Sequence, residues 1–159
     1  VVSACTGPVG STAGQVARHM GARVVGIAGS AEKCDYAVRE LGFAACVNYR
    51  EGDLAAQLKQ ACPDGIDVYF DNVGGATLDA VLARLRPFAR IPVCGMISQY
   101  DGATGGLRTL GAIVGARATL TGFIIYDHMD GFDAFPARMA ERMRRGEVRY
   151  FEDIVEGID

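Results

Sequence analysis

Tryptophan is absent from this chain, and histidine occurs only twice, at His19 and His128. Two isolated imidazoles do not form a metal-ligand pattern. Nor do the five cysteines, Cys5, Cys34, Cys46, Cys62 and Cys94, which include no C-x-x-C pair. No metal is therefore expected. The odd cysteine count fits a reducing compartment, and Cys46 and Cys94, set in apolar runs, are expected to be small buried hydrophobes. Basic charge is also in short supply: 16 Lys and Arg against 19 Asp and Glu leave a net charge of −3. That balance argues against nucleic acid as a main partner. The one basic run, Arg142, Arg144 and Arg145, is flanked by Glu141 and Glu147 and reads as a solvated helix end. No apolar run approaches the ~20 residues of a membrane span, and the charged start of a secretory signal is missing. A cytoplasmic protein with no membrane partner is expected. An initiator methionine is missing too. The chain opens on the apolar Val1-Val2-Ser3-Ala4 and stops at Glu156-Gly157-Ile158-Asp159, a pattern expected of a fragment of a longer chain.

What is present is a regular alternation of apolar strands and amphipathic helices within 159 residues, enough for one domain with its own core. Strands are predicted over 1–4, 23–28, 45–48, 66–71, 89–94 and 118–125. Helices are predicted over 10–20, 31–41, 53–62, 75–85, 107–115 and 132–145. Val16, Ala17 and Met20 mark the apolar face of the first helix, Ser30 is placed to cap the second, and Gly42 to close it. Strands and helices alternating at this length imply βαβ units. The expected fold is α/β: a Rossmann-like, doubly wound parallel sheet of about six strands with helices on both faces. Such sheets bind ligands at the carboxyl ends of their strands.

Those ends carry the chemistry. The first strand leads into Ala4-Cys5-Thr6-Gly7-Pro8-Val9-Gly10. Gly7 there allows backbone to approach a pyrophosphate, Gly10 allows the helix to pack on the strand, and the helix N-terminus supplies free N–H groups. Ala4 stands where the usual fingerprint has its first glycine. The loop fits a flavin phosphate or S-adenosylmethionine equally well, and a plain tight turn also explains it. The second strand ends in Gly26-Ile27-Ala28-Gly29-Ser30, without the carboxylate that bonds the ribose 2′-hydroxyl in NAD-specific folds. Gly29 and Ser30 offer donors, and Lys33 lies one turn on, where it can pair with a 2′-phosphate. Against this, Ser30 as a simple cap with Lys33 solvated fits too, and Glu32 is close by. NADP(H) is favoured over NAD. Asp71-Asn72-Val73-Gly74-Gly75 follows the fourth strand. Its paired glycines admit a ligand to the backbone, and Asn72 carries both a donor and an acceptor; an Asx-type turn is the plainer reading. The fifth strand delivers Cys94, Gly95, Met96, Ile97, Ser98, Gln99 and Tyr100 to the same end.

Taken in order, these segments resemble the zinc-independent medium-chain dehydrogenase/reductases, in the group of prostaglandin/leukotriene, alkenal double-bond and curcumin reductases. The matching stretches are Thr6-Gly-Pro-Val-Gly-Ser11, Val25 to Lys33, Asn48-Tyr49, Asp64 to Gly75, Arg90 to Tyr100, Gly122-Phe-Ile-Ile125 and Glu152 to Gly157. The resemblance implies that Gly7, Pro8, Val9 and Gly10 hold the pyrophosphate and that Lys33 and Tyr49 meet the 2′-phosphate end. It implies also that Asn72 lines the ribose groove, Cys94 to Tyr100 run along the cofactor, and Phe123, Ile124 and Ile125 flank the nicotinamide. The implied activity is NADPH-dependent reduction of the carbon–carbon double bond of an enone or enal. A quinone or enoyl-thioester reductase of the same superfamily is the alternative within this class, and a non-catalytic nucleotide-binding module the alternative outside it. The resemblance also implies that 1–159 is the NADP(H)-binding domain without its flanking GroES-like catalytic domain, and it allows a homodimer through the sixth strand. The loop 102–106 departs from the group in being glycine-rich where relatives are more polar. No catalytic residue is assigned; Tyr126 is a candidate that its neighbours do not single out.

Overall fold

The computed structural model describes residues 1–100, 106–152 and 154–157. Most of the glycine-rich loop 102–106 therefore lies outside the described residues. Strands β1 (Val2–Ser3), β2 (Val25–Ala28) and β3 (Ala45–Asn48) are parallel neighbours in that order, as are β4 (Ile66–Val68), β5 (Leu85–Val93) and β6 (Thr119–Gly122). The two halves meet where β1 runs beside the end of β4. Val2 bridges Phe70, whose N–H donates to Val1 O at 2.9 Å, and Ser3 N–H donates to Phe70 O at 3.2 Å. The resulting parallel order is 3-2-1-4-5-6, with the reversal of winding between β1 and β4. This is the predicted doubly wound sheet.

Helices α1 (Pro8–His19) and α2 (Ala31–Arg39) link β1, β2 and β3, and α3 (Leu54–Ala61) returns the chain to β4. Helices α4 (Gly75–Leu82) and α5 (Gly111–Ala116) link β4, β5 and β6, and α6 (Phe135–Arg144) follows. All four residues of β2 are buried, as a central parallel strand requires. Their alternation divides the core in two. Val25 and Ile27 pack with Leu58, Tyr69, Leu78, Val81 and Ile91, while Val24 and Ala28 pack with Ala37, Leu41 and Phe43. Helices α3 and α4 thus cover one face, and α1 and α2 the other. The predicted Ser30 cap is made, its Oγ accepting from Lys33 N–H at 3.3 Å, and Asp53 Oδ1 caps α3 in the same way by accepting from Ala55 N–H at 2.9 Å. Asp79, nearly buried on α4, accepts from the Thr109 hydroxyl at 2.6 Å and from the N–H groups of Arg108 and Thr109. The Thr109 bonds, chiefly, hold its carboxyl below the usual carboxylate range, and the chain entering α5 is anchored there.

Several boundaries differ from prediction. Helix α4 stops at Leu82 because Leu85 already pairs with Ile66. The ladder resumes only at Val68 and Arg90, and Phe88 bulges between them at φ 65°. Helix α5 starts at Gly111 and α6 at Phe135, each later than the apolar pattern suggests. Strand β6 ends at Gly122, and a short 3-10 segment occupies Ile125–Gly131. The face of α1 is also different. Gly10, Gly14 and Gln15 are buried, whereas Met20 is 78% exposed. A Cβ on Gly10 would lie 2.3 Å from Ala4 O, and one on Gly14 2.1 Å from the Phe43 ring. The helix rests on the sheet through its glycines. The fully buried cysteines are Cys5 and Cys62, while Cys46 and Cys94 are only partly covered. The basic run behaves as expected: Arg144 and Arg145 pair with Glu141, and Arg142 with Glu147, at the end of α6.

Candidate functional site

The loop after β1 is held by its own backbone. Gly7 N–H donates to Ala4 O at 3.0 Å, and Ser11 N–H to Gly7 O at 2.9 Å. Gly7 is the N-cap of α1 in extended conformation, and Pro8 fills the first helical position, where its missing N–H costs nothing. Val9 is half exposed at the helix mouth. The first N–H groups of a helix have no partner within it, so this end presents donors and the positive end of the dipole to an anion. Ala4 sits at φ 46°, in the left-handed region that its β-carbon resists. That conformation costs roughly 1–2 kcal/mol for a non-glycine residue. Ala4→Gly is therefore expected to raise unfolding stability by about 0.5–1 kcal/mol, after the greater chain entropy of glycine is subtracted. Denaturant titration would check this, and a loss of stability would show that the strain is not there.

At the winding reversal, β1 and β4 are tied by polar side chains. Asn72 Nδ2 donates to Ser3 O at 2.8 Å, and Asn72 N–H to Ser3 Oγ at 2.9 Å. Asp71 is fully buried, and its Oδ1 accepts from the Tyr69 hydroxyl at 2.7 Å and from Val73 and Gly74 N–H at 2.9 Å each. The Ser3 hydroxyl lies 3.3 Å from the same oxygen. Burial first, then the negative Asp71, pushes the Tyr69 phenol well above its ordinary pKa, so it stays a neutral donor. The Asx-type turn foreseen here is made by Asp71, which leaves Asn72 to span the two strands. Gly74 and Gly75 follow at φ 69° and 54°, conformations natural to glycine.

The tail of β5 is laced onto this turn. Cys94 N–H donates to Asp71 O at 2.8 Å, Ile97 N–H to Asn72 O at 3.3 Å, and Ser98 Oγ to Val73 O at 2.6 Å. A Cβ on Gly75 would meet Ser98 Oγ at 2.8 Å. Gly95 lies under the Tyr100 hydroxyl, which accepts from Met96 N–H at 3.5 Å, and Gln99 closes the short 3-10 turn. Met96, Ile97 and Tyr100 stay exposed along this wall. Burial pushes the Cys94 thiol above its ordinary pKa, which suits a neutral lining group rather than a nucleophile.

Two further clusters complete the end of the sheet. At the tips of β2 and β3, Tyr49 N–H donates to Ala28 O at 3.0 Å, and the Tyr49 ring lies against Gly29. Ser30 and Lys33 begin α2 beside them, and the Arg50 guanidinium lies 5.7 Å from the Tyr49 ring centre. At the tip of β6, Phe123 N–H donates to Val93 O at 3.4 Å, and its ring meets Phe70 edge-on at 6.1 Å. Ile124 and Ile125 are exposed beyond it. The predicted residues fall in three groups at this end of the sheet: Gly7 to Gly10, Asn72 and Cys94 to Tyr100 at the reversal of winding, Gly29, Ser30, Lys33 and Tyr49 beyond β2 and β3, and Phe123 to Ile125 beyond β6. Sequence reasoning gave no part to Ser3, Tyr69 and Asp71, which fix the glycine turn, or to Arg50. An acid closing a buried apolar strand immediately before Asn-x-Gly-Gly was the available signal for Asp71.

The residues present fit a dinucleotide phosphate. Gly10 lets α1 seat close under the loop, and no carboxylate occupies the tip of β2 at Gly29-Ser30. Among the described residues, no group of three or more His, Cys, Asp or Glu is placed to hold a metal ion. The order 3-2-1-4-5-6 with glycine turns at its reversal defines a Rossmann-like domain of the dinucleotide-binding type. The chain belongs to the zinc-binding dehydrogenase family, whose model it matches over residues 8–144. It is 43% identical to the NADPH-dependent curcumin reductase of Escherichia coli, over 100% of this chain and 48% of that protein. It is 42% identical to the NADP(+)-dependent 2-alkenal reductase of Nicotiana tabacum, over 99% of this chain and 47% of that protein. The crystal structure of CurA from Vibrio vulnificus in complex with NADPH superposes with a TM-score of 0.90 at 41% identity, covering 97% of this chain and 48% of that one. The chain spans about half the length of the curated relatives it matches.

Proposed function

We propose that this chain is the NADP(H)-binding half of a reductase that saturates the carbon–carbon double bond of an α,β-unsaturated ketone or aldehyde. The observation that carries the cofactor is the acid-free tip of β2. Gly29 and Ser30 lead to Lys33 there, with Tyr49 and Arg50 in the turn just after β3, leaving cations and donors where a ribose 2′-phosphate would sit. The loop from Gly7 to Gly10, with Pro8 and Val9, holds the pyrophosphate on the N-terminus of α1. Asn72 lines the ribose, Cys94 to Tyr100 run along the dinucleotide, and Phe123 to Ile125 flank the nicotinamide. Bound NADPH supplies hydride; the protein orients the acceptor and stabilises the enolate-like charge that develops.

The names of the curcumin and alkenal reductases support the substrate class. A second, GroES-like domain supplies the remaining walls of the substrate pocket in this reading. The exposed edge of β6, with Leu120 40% exposed, supports a homodimer paired along that edge. No helix among the described residues is long and apolar enough to cross a membrane; we place the protein in the cytoplasm. Lys33→Ala tests the phosphate assignment. NADPH affinity is expected to fall by about 1.5–3 kcal/mol, the worth of a charged hydrogen bond, with NADH affinity nearly unchanged. Equal losses for both cofactors would overturn it.

A further inference from the structure

We propose that His128 is a catalytic residue of this reductase: its imidazole hydrogen-bonds the substrate carbonyl oxygen and delivers the proton that balances hydride transfer. The inference rests on the reductase reading above. In a doubly wound sheet the two halves of a dinucleotide lie on either side of the winding reversal. The adenosine cluster at β2 and β3 takes one side, so the reacting end falls over β4, β5 and β6. There Phe70, after β4, and Phe123, after β6, meet edge-on, and the His128 ring stands 6.0 Å from Phe123 at 63°. The 3-10 segment Ile125–Gly131 is broken at this residue: His128 has φ −123° and ψ 18°, outside the helical path of its neighbours. Its ring meets that of Phe123 edge-on, and the residue remains exposed.

Three other proton-bearing groups lie at this end: the Tyr100 hydroxyl, which accepts from Met96 N–H at 3.5 Å, the exposed Tyr126, and the Cys94 thiol, whose pKa burial raises. Asp127 and Asp130, on the same segment, are acceptors when ionised. An imidazolium donates from both ring nitrogens. The balance is simple: hydride adds to the β-carbon, the π electrons move to the carbonyl oxygen, and His128 transfers its proton there. The enol tautomerises to the saturated ketone, and water reprotonates the exposed imidazole. Enone, NADPH and one proton give ketone and NADP+.

Two measurements test this. The chain has only two histidines, and His19, at the far end of α1, serves as an internal reference. On titration with NADPH, the imidazole proton NMR signals of His128 are expected to move while those of His19 stay. In the complete gene product, with benzylideneacetone as the enone, His128→Phe is expected to lower kcat roughly a hundredfold, the usual scale of proton-transfer catalysis, with NADPH affinity unchanged. His128→Gln, which keeps an N–H donor, should recover part of the loss. Wild-type kcat in both variants, or a His128 signal as unmoved as His19's when NADPH binds, would overturn the role of His128 alone. Failure of the unaltered protein to reduce the enone would overturn the reductase reading, and this proposal with it.

Discussion

Asp71→Ala is expected to destabilise the protein by about 3 kcal/mol or more, because it strands several donors at once and each buried unsatisfied group costs roughly 1–3 kcal/mol. The Tyr69 hydroxyl loses its partner at 2.7 Å, and the Val73 and Gly74 N–H groups lose theirs at 2.9 Å. Tyr69 is fully buried, so water cannot replace the missing acceptor without opening the core. Asp71→Asn keeps an acceptor oxygen in place and should cost much less. The effect should reach the site as well. Asp71 shapes the turn that carries Asn72, Gly74 and Gly75, and the tail of β5 hangs from that turn through Cys94, Ile97 and Ser98. Denaturant unfolding measures the stability, and an Asp71→Ala change within about 1 kcal/mol of wild type would show that the network is not needed.

Gly10→Ala should separate packing from phosphate contact. Its Cβ would lie 2.3 Å from Ala4 O and 2.9 Å from Ala4 C, both backbone atoms of the loop the helix must sit on. Either the helix lifts or the loop deforms. Overpacking of this kind costs roughly 1–3 kcal/mol, and NADPH binding should be lost because the N–H groups of α1 move from the pyrophosphate. Gly7→Ala meets Ala4 O only at 3.4 Å, an ordinary contact, and should be nearly neutral for stability. Equal stabilities for the two variants would contradict the close seating of α1 on the sheet.

These residues also show how far the sequence could be read. Strand β3 was legible to the residue, because a short Val-bearing run between turn signals has one interpretation. The Ser30 cap was equally legible, since its side chain acts on backbone three residues away. The seating of α1 through Gly10 was legible from what a glycine permits, and the crowding that a Cβ would meet there agrees with it. The apolar face Val16, Ala17 and Met20 was only partly so, for Ala17 packs on the core while Met20, in the last turn, is 78% exposed. Likewise, Cys5 became a core residue by its place between strands, while Cys46, in a more apolar run, stayed partly open near the edge of the sheet. The apolar run from Ala118 suits one strand to Ile125. Its composition does not record that the ladder with β5 ends at Gly122.

At the site, the glycine turns and the acid-free tip were legible because they depend on what a residue type permits or lacks. The tie between β1 and β4 was not, because Ser3 and Asn72 are 69 positions apart and only the winding of the sheet brings them together. Arg50 likewise acquires meaning only from the Tyr49 ring beneath it.

The most direct test of the central claim is calorimetric titration of this chain with NADPH and with NADH under identical conditions. One NADPH should bind per chain, at least roughly tenfold more tightly than NADH, a difference of about 1.4 kcal/mol. Equal affinity for the two cofactors, or no heat of binding with either, would contradict the assignment of Gly7 to Gly10 and the β2 tip as an NADPH site.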